Sequence, residues 1–246
     1  MVPISLQKHL QNILKIEKRG KMFVFKHYPQ IVAFFGNKNN SLRDIIINGF
    51  SKDITTNKMV LMEQTHSNKI KTVEQDDLGT KPVKIVDAIA TNKKDQYLLI
   101  KTADCAPILV FDPQKMVVCA IHSGKIGTQK GILPISIKFL VKNYGCKIKD
   151  LLVAIGPCIS GKNYKALNEE FEDFVRDTQV EQTFPFLDIK KVLLKNLSDL
   201  GFLKKQITVF PTCTFDDDSY YSFRKDKTQK RQISLIGIKK NANIPE

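Results

Sequence analysis

Residues 97–128, YLLIKTADCAPILVFDPQKMVVCAIHSGKIGT, contain three short apolar runs that alternate with polar segments. Each run is rich in Ile, Leu or Val and is bounded by polar or turn residues: Tyr97–Ile100, Ile108–Phe111 and Met116–Ile121. Runs of this kind are typical of buried strands. A polar island ending in Cys105 separates the first two runs, and the third ends at His122 before a glycine-containing turn, Ser123–Gly127. Because adjacent strands can bring Cys105 and His122 together, we expect the functional site here.

The rest of the chain mixes strand and helix patterns without strict alternation. Further strands are predicted at Phe23–Phe25, Ile31–Phe35, Val60–Thr65, Lys69–Val73, Ile85–Ala90, Leu151–Ile155, Ile207–Phe210 and Ile233–Ile238. Helical spacing of apolar residues predicts helices at Ser5–Lys18, Gly131–Tyr144, Asn168–Arg176 and Asp188–Leu200. This mixture favours the α+β class, with a mixed β-sheet core covered by helices. Since no interdomain linker is visible, we expect a single domain over residues 1–246, in which residues 1–20 form a helical N-terminal extension.

The composition indicates a globular protein with an unusual charge. Hydrophobic residues make up 42% and charged residues 26% of the chain, which is ordinary for a globular protein. The formal net charge of +14 could attract polyanions or phosphorylated ligands. However, the lysines are scattered, and no basic block reaches the density of a nucleic-acid-binding arm. We therefore expect no nucleic-acid partner.

Cysteine usage and the N-terminal sequence predict a cytoplasmic protein. The five cysteines are odd in number, and their spacing matches neither CxxC nor a small secreted disulfide framework. Free thiols in a reducing compartment are the simplest interpretation. The N-terminal residues lack the apolar core of a signal peptide, and no stretch approaches the roughly 18 apolar residues of a membrane helix. We expect no membrane partner.

Three side chains form the strongest candidate site: His66, Cys105 and His122. Two imidazoles and one thiolate suit zinc, and three protein ligands leave a fourth position open, which is the catalytic arrangement. A second interpretation makes Cys105 a nucleophile and His122 its base, with an aspartate, Asp104 or Asp87, orienting the imidazole. A third interpretation is purely structural packing. Spacing alone does not separate the three.

Other polar residues are weaker candidates. Arg224 and Arg231 could contact phosphate, because a guanidinium matches oxyanions with two donors, although a surface role competes. Cys119 lies inside an apolar run and is expected in the core, whereas Cys146 follows a helix and looks incidental. The other two cysteines follow strands and could border a pocket: Cys158 and Cys213.

The order of several motifs resembles the laccase-domain family (YfiH-type), whose members are also labelled multicopper polyphenol oxidoreductase or peptidoglycan editing factor. The most specific motif is Thr-Ala-Asp-Cys followed by a proline, here Thr102–Pro107. The other matching segments occur in the family's order: Gln64–His66, Asp87–Thr91, His122–Thr128, Gly156–Ile159, Cys213–Thr214, Ser222–Asp226 and Lys230–Gln232. The resemblance extends over about residues 30–238.

This resemblance implies a fold, a metal and an activity. The fold would be similar to that of cytotoxic necrotizing factor catalytic domains. His66, Cys105 and His122 correspond to the family's metal ligands, which implies zinc, with copper as the alternative ion. The implied reaction is phosphorolysis of adenosine, inosine, guanosine or methylthioadenosine, with deamination of adenosine as a second activity. The substrates would then be a purine nucleoside and phosphate, handled by a monomer or a small homo-oligomer.

The sequence also departs from the family pattern around these ligands. The Trp-Arg of the family's His-Ala-Gly-Trp-Arg-Gly motif is replaced by Lys125 and Ile126, so an arginine beside the metal is lost. The N-terminal glycine-rich segment is reduced to Gly36–Asn40, and Ser-Tyr-Arg-Arg has become Ser-Phe-Arg-Lys. We therefore expect a metal-binding fold with weakened or altered activity.

The leading hypothesis is a zinc-dependent purine nucleoside phosphorylase. In it Cys105 and His122 act at the metal, Asp104 supports them, and Lys125 and Arg224 contact phosphate. The first alternative is a cysteine hydrolase that acts on a peptidoglycan precursor. The second is a partner protein that keeps the fold without activity.

Overall fold

Two six-stranded sheets form the core of the described part of the protein. The computed structural model describes residues 16–17, 21–23, 25, 27–40, 55–79 and 81–240. The strands within these residues are β1 (Ile16–Glu17), β2 (Lys21–Phe23), β3 (Ile31–Phe35), β4 (Met59–Val60), β5 (Ile70–Thr72), β6 (Ala88–Thr91), β7 (Tyr97–Thr102), β8 (Ala106–Asp112), β9 (Val117–Ser123), β10 (Leu152–Ile155), β11 (Ile207–Val209) and β12 (Gln232–Ile238).

Five α-helices and several short 3-10 turns accompany these strands in the same residues. The α-helices are α1 (Lys125–Gln129), α2 (Ile132–Tyr144), α3 (Asn168–Thr178), α4 (Ile189–Asp199) and α5 (Phe223–Asp226). The 3-10 turns are Thr56–Lys58, Gln75–Asp77, Ile148–Asp150, Gly161–Asn163 and Lys204–Gln206. Within the described ranges, no helix has the length and apolar character needed to cross a membrane.

Both sheets are mixed. The first sheet has the order β1-β2-β3-β12-β7-β4, in which only the β4–β7 pair is parallel. The second has the order β11-β10-β8-β9-β6-β5, with parallel pairs at both edges, β10–β11 and β5–β6. The predicted α+β class with mixed sheets is therefore confirmed.

A shared hydrophobic cluster joins the inner faces of the two sheets. Phe35, Ile100 and Ile236 come from the first sheet and are fully buried. Leu109 and Phe111 meet them from the second sheet. Removal of a large apolar side chain from water contributes about 1.5–3 kcal/mol, so such a cluster stabilises the pairing of the sheets strongly.

Helices cover the other face of the second sheet. Ile108 and Val110 of β8 pack in one cluster with Ile137 of α2 and Leu193 of α4. Strands β8 and β9 are thus buried on both faces, which explains why they read as nearly continuous apolar runs rather than as alternating ones. Helix α2 ends as predicted at Gly145, which adopts the left-handed conformation (φ 66°) that glycine tolerates.

Several predictions need correction. The predicted turn Ser123–Gly127 is instead the end of β9 followed by α1. The predicted strand Val60–Thr65 leaves the first sheet after Val60. Met62 then forms a single parallel bridge with Val83, and Thr65 bonds to the buried Asp87 carboxylate. Cys146 is not incidental but a buried member of the core.

The predicted N-terminal helix falls largely on residues that the structure does not describe. Of Ser5–Lys18, only Ile16–Glu17 are described, and they form strand β1 rather than helix.

Candidate metal centre

Three residues from distant parts of the sequence meet at one end of the second sheet: His66, Cys105 and His122. One potential ligand atom of each lies within 4.8 Å of the others, and Cys105 Sγ is 3.7 Å from His66 Nε2. The antiparallel register of β8 and β9 sets Pro107 opposite His122, which brings Cys105 to the end of β9. The expected meeting of Cys105 and His122 therefore follows directly from strand pairing.

A buried carboxylate, Asp87, orients His122. The Asp87 side chain is fully buried, and its Oδ1 lies 2.7 Å from His122 Nδ1. The His122 backbone N–H also donates to the Asp87 carbonyl, at 2.7 Å. With Nδ1 engaged by the carboxylate, Nε2 is the ring nitrogen left to bind a metal, an arrangement that recurs around metal-bound histidines.

The same carboxylate also holds the loop that carries His66. It accepts hydrogen bonds from three consecutive backbone N–H groups, those of Thr65 (3.2 Å), His66 (3.1 Å) and Ser67 (2.6 Å). The Ser67 hydroxyl donates to it as well, at 2.7 Å. These bonds offset the cost of the left-handed backbone at His66 (φ 59°), which is uncommon for a residue other than glycine.

Asp104 supports Cys105 through the backbone rather than through the histidines. Its carboxylate accepts from the Thr214 hydroxyl (2.7 Å) and from the Arg224 backbone N–H (2.6 Å). Its carbonyl accepts from the Ile159 N–H, at 3.0 Å. Asp104 thus bonds to segments around the loop that carries Cys105, whereas the carboxylate that contacts His122 is Asp87.

Gly124 gives the three side chains room to approach. A Cβ atom at this position would lie 2.8 Å from Cys105 Sγ and 2.8 Å from His66 Cδ2. Real Cβ contacts are essentially never that short, so any other residue would push at least one of these side chains away.

The charges of Cys105, His122 and Asp87 favour a thiolate on Cys105 beside an imidazolium on His122. Burial alone would raise the pKa of the Cys105 thiol, but the positive charge of His122 and hydrogen bonds from both histidines outweigh it and lower the pKa to about 6. Burial opposes the charged form of His122, yet the Cys105 thiolate and the Asp87 carboxylate raise the pKa of His122 to about 9. Burial also opposes ionisation of Asp87, but hydrogen bonds from His122 and Ser67 hold its pKa well below the usual range.

The three residues fit a metal ion. Zinc binds thiolate and imidazole at about 2.0–2.3 Å, so ligand atoms a little under 4 Å apart, as Cys105 Sγ and His66 Nε2 are, suit one tetrahedral ion. Within the described ranges, these three form the one such group of potential ligands. His66 is exposed and Cys105 is half-buried, so the site faces solvent on one side.

A pocket of about 980 Å³ opens over the three residues. Apolar and aromatic groups line part of it, including Met62, Ile159, Tyr164 and Phe223. Other lining residues carry positive charge: Lys101, Arg224, Lys227 and Arg231. Thr102 also lines the pocket, and its buried hydroxyl has no hydrogen-bond partner among the described residues.

The two residues expected to contact phosphate, Arg224 and Lys125, have different environments. Arg224 lines the pocket, and its guanidinium carbon stacks 4.8 Å from the centre of the Tyr164 ring. The Lys125 ammonium is outside the lining and forms an ion pair with Glu170 of α3, which does line the pocket. The structure therefore brings Arg224, but not Lys125, into direct contact with the pocket.

The two cysteines named as able to border a pocket, Cys158 and Cys213, are both buried. Cys158 is fully buried, and burial raises the pKa of its thiol to about 12. The Cys213 sulfur accepts from the Ser160 N–H at 3.2 Å and from Asn163 Nδ2 at 3.4 Å. Neither residue lines the pocket described above.

Sequence reasoning left open whether Asp104 or Asp87 orients His122, and it gave Asp87 no role toward the loop that carries His66. The signal was present as a carboxylate inside the apolar run Ile85–Ala90, since a buried acid is rarely found without dedicated partners. The closeness of Gly124 to the sulfur had no sequence signal apart from the glycine itself.

Comparison with known families and proteins identifies relatives of the chain. Residues 45–239 match the family model described as multi-copper polyphenol oxidoreductase laccase. A protein named purine nucleoside phosphorylase from Corynebacterium glutamicum is 31% identical over 223 residues, which cover 87% of this chain and 84% of the relative. Purine nucleoside phosphorylase YlmD from Bacillus subtilis is 33% identical over 214 residues, with 80% and 76% covered.

Solved structures show the same fold. YlmD from Geobacillus stearothermophilus superposes with a TM-score of 0.83 at 23% identity, over 93% of this chain and 99% of that one. The hypothetical protein YfiH from Bacillus licheniformis gives a TM-score of 0.82 at 22% identity, over 92% and 99%.

Proposed function

The chain belongs to the multi-copper polyphenol oxidoreductase laccase family, and on this premise we propose that it is a zinc-dependent purine nucleoside phosphorylase. The observation that carries the proposal is the group of His66, Cys105 and His122 at the floor of a pocket large enough for a nucleoside and phosphate. The names of the curated relatives support the reaction. We further propose that the family domain is the whole chain, residues 1–246.

Zinc is the ion that these ligands favour. A set of two imidazoles and one thiolate suits zinc, and the described residues offer one group of three ligands rather than the several sites of a multicopper oxidase. Zinc bound by three protein ligands would supply Lewis-acid chemistry and activate water near neutral pH. That chemistry also supports deamination of adenosine as a second activity.

The residues around the metal site have separate roles in this proposal. His66, Cys105 and His122 hold the metal, and Asp87 fixes the orientation of His122 and of the loop before His66. Asp104 positions Cys105 and, through its bond to the Arg224 N–H, ties the start of α5 to the site. These contacts keep the ligands in place without rearrangement when substrate binds.

Arg224 is our candidate for contact with inorganic phosphate. Arg224 lines the pocket, and its guanidinium makes a cation–π contact with the Tyr164 ring. It forms no ion pair with a carboxylate of the described residues. A guanidinium binds a phosphate with two parallel hydrogen bonds, which positions the nucleophile as well as attracting it. Lys125 is a weaker candidate, because its ammonium is already paired with Glu170.

The nucleoside itself would occupy the apolar part of the pocket. The substrate class is adenosine, inosine, guanosine or methylthioadenosine. Tyr164 and Phe223 offer aromatic surface for a purine, and the buried Thr102 hydroxyl offers a hydrogen bond that has no protein partner among the described residues. Release of free base that requires both phosphate and zinc tests the proposal.

One observation favours a second candidate, a cysteine hydrolase acting on a peptidoglycan precursor. Cys105, His122 and Asp87 form a chain in which the thiol pKa is lowered to about 6 and the imidazole is oriented by a buried carboxylate. That is also the arrangement of a cysteine nucleophile with its base. The two candidates differ in their dependence on zinc. Zinc would inhibit the hydrolase, because it would bind the Cys105 sulfur that acts as the nucleophile, whereas the phosphorylase requires zinc.

A further inference from the structure

Two cations at the mouth of the pocket rest on an aromatic ring. The Lys227 ammonium lies 5.3 Å and the Arg231 guanidinium carbon 6.0 Å from the centre of the Phe223 ring. All three residues line the pocket. A ring face attracts a cation without neutralising it, so both positive charges remain available to an anion.

Three lysines outside the pocket lining are arranged differently. Lys125 is paired with Glu170, Lys162 with Asp216, and Lys225 with Asp218. By contrast, Lys227 and Arg231 have no carboxylate within ion-pair distance in the part of the chain that the structure describes. The charges of these three lysines are therefore compensated, and those of Lys227 and Arg231 are not.

Arg231 is also held in a fixed direction. Its Nη1 donates to the carbonyls of Thr228 and Lys230, both at 2.8 Å. The Lys230 N–H in turn donates to the Thr228 hydroxyl at 3.1 Å. The remaining donors of the guanidinium are thus presented by a folded loop and lose little freedom when a ligand binds.

We propose that Lys227 and Arg231 form a second anion subsite, which binds a phosphate group carried by the ligand itself, so that the site accepts purine nucleoside 5′-monophosphates as well as nucleosides and binds the monophosphates more tightly. This inference rests on the proposed function. It is separate from the contact between Arg224 and inorganic phosphate, because Arg224 is held on a different ring, Tyr164, and beside Asp104.

The chemistry of a nucleoside explains why the phosphate would lie at the mouth. Phosphorolysis breaks the bond between the base and the sugar C1′, so C1′ must face the reaction centre. The 5′ oxygen leaves the sugar ring on the other side of the ring oxygen and points away from that centre. A pocket of about 980 Å³ is near the upper end of the usual range for small-molecule sites and leaves room for the additional group.

Binding to the zinc-loaded protein tests the inference. Calorimetric titrations in phosphate-free buffer compare adenosine 5′-monophosphate with adenosine. We expect the monophosphate to bind at least about tenfold more tightly, since each charge-assisted contact to a phosphate is worth about that factor or more. The advantage should shrink as salt is raised. In the double variant Lys227→Gln/Arg231→Gln it should fall to about twofold or less.

The matched control is the double variant Lys162→Gln/Lys225→Gln, which removes an equal charge from two lysines that are paired with Asp216 and Asp218 and lie outside the pocket lining. It should keep the full advantage. Equal affinity for the two ligands, or an advantage that survives the double variant, would overturn the inference. Base release from adenosine together with equal affinities would leave the proposed function standing. Tight, Lys227- and Arg231-dependent binding of the monophosphate without any base release would support the subsite and reject the phosphorylase.

Discussion

The carboxylate of Asp87 joins His122 to the loop that carries His66. One oxygen lies 2.7 Å from His122 Nδ1, while the two oxygens together accept three consecutive backbone N–H groups, including that of His66. A single buried side chain therefore sets the position of two of the three candidate metal ligands.

Substitution of Asp87 should weaken metal binding without removing a ligand. In Asp87→Asn, one accepting oxygen becomes an NH₂ group that faces N–H donors, so the loop and the His122 ring lose their fixed orientation. Loss of such a partner behind a ligand typically costs 10–100-fold in metal affinity. We expect a decrease of that size in a competitive zinc titration, with an additional loss of stability on the order of 3–5 kcal/mol in Asp87→Ala, where a buried charge pair is broken.

The control for this prediction is Asp76→Asn, which removes an exposed carboxylate from a 3-10 turn. It should leave zinc affinity and stability nearly unchanged. Unchanged zinc affinity in folded Asp87→Asn would show that this carboxylate does not position the ligands.

A methyl group at Gly124 should displace a ligand. In Gly124→Ala the new Cβ would lie 2.8 Å from both Cys105 Sγ and His66 Cδ2, so at least one of them must move. We expect a loss of zinc affinity of at least about tenfold, which is the effect of 1.4 kcal/mol of strain. The melting temperature of the metal-free protein serves as the control and should change far less than that of the zinc-loaded protein. A zinc-loaded variant as stable as the wild type would contradict the close approach at Gly124.

The Cys105 thiol should be reactive at low pH in the metal-free protein. Its pKa of about 6 means that the thiolate persists as the pH falls until about pH 6, whereas an ordinary thiol is mostly protonated below about pH 8.5. Alkylation by iodoacetamide at pH 6.5, followed by mass spectrometry, should modify Cys105. Zinc should protect it, because bound metal occupies the sulfur.

Cys105→Ser identifies the modified residue and should abolish the rapid labelling. The buried thiols of Cys119, Cys146 and Cys158 should stay silent, since burial raises the pKa of each. Labelling that follows an ordinary thiol pH profile would contradict the lowered pKa of Cys105. Labelling that zinc does not slow would contradict metal binding by the Cys105 sulfur.

Arg224 and Lys125 should differ in their effect on phosphate. Arg224→Lys keeps the charge but loses the planar pair of donors, so the KM for phosphate should rise about 10-fold or more while the KM for nucleoside changes less. Lys125→Met should change the KM for phosphate only about twofold, because the ammonium is already paired with Glu170. Arg176→Gln, which removes a surface arginine paired with Asp173 and Asp177, is the control. Equal effects of the first two variants would reject the distinction.

Much of the fold could be predicted because local patterns and tertiary packing agree. Helix α2 was readable from its apolar spacing and from Gly145, and β8 and β9 were readable because burial on both faces makes them continuously apolar. The predictions failed where long-range polar contacts override the local pattern. The segment after Val60 has strand composition, yet it leaves the sheet. Met62 makes a single bridge to Val83, and Thr65 bonds to Asp87.

The candidate site was predictable in its ligands but not in their support. His66, Cys105 and His122 carry side chains whose chemistry indicates metal binding wherever they meet. Which aspartate holds them was not predictable, because Asp104 adjoins Cys105 in sequence whereas Asp87 adjoins none of the three residues. Only the three-dimensional structure shows that Asp104 bonds to Thr214 and Arg224 instead. Likewise, no sequence pattern indicated that Lys125 would pair with Glu170, 45 positions away.

Release of adenine from adenosine by the zinc-loaded protein, followed with and without inorganic phosphate, is the most direct test of the proposed function. We expect adenine and ribose 1-phosphate in equal amounts, only when phosphate is present, and a loss of at least about 100-fold in His122→Ala, in which a ligand is removed. The Asp76→Asn protein should behave as the wild type. If the folded, zinc-loaded protein releases no adenine in phosphate, or releases it equally without phosphate, the protein is not a purine nucleoside phosphorylase. The hydrolase and the inactive partner would then be the hypotheses to pursue.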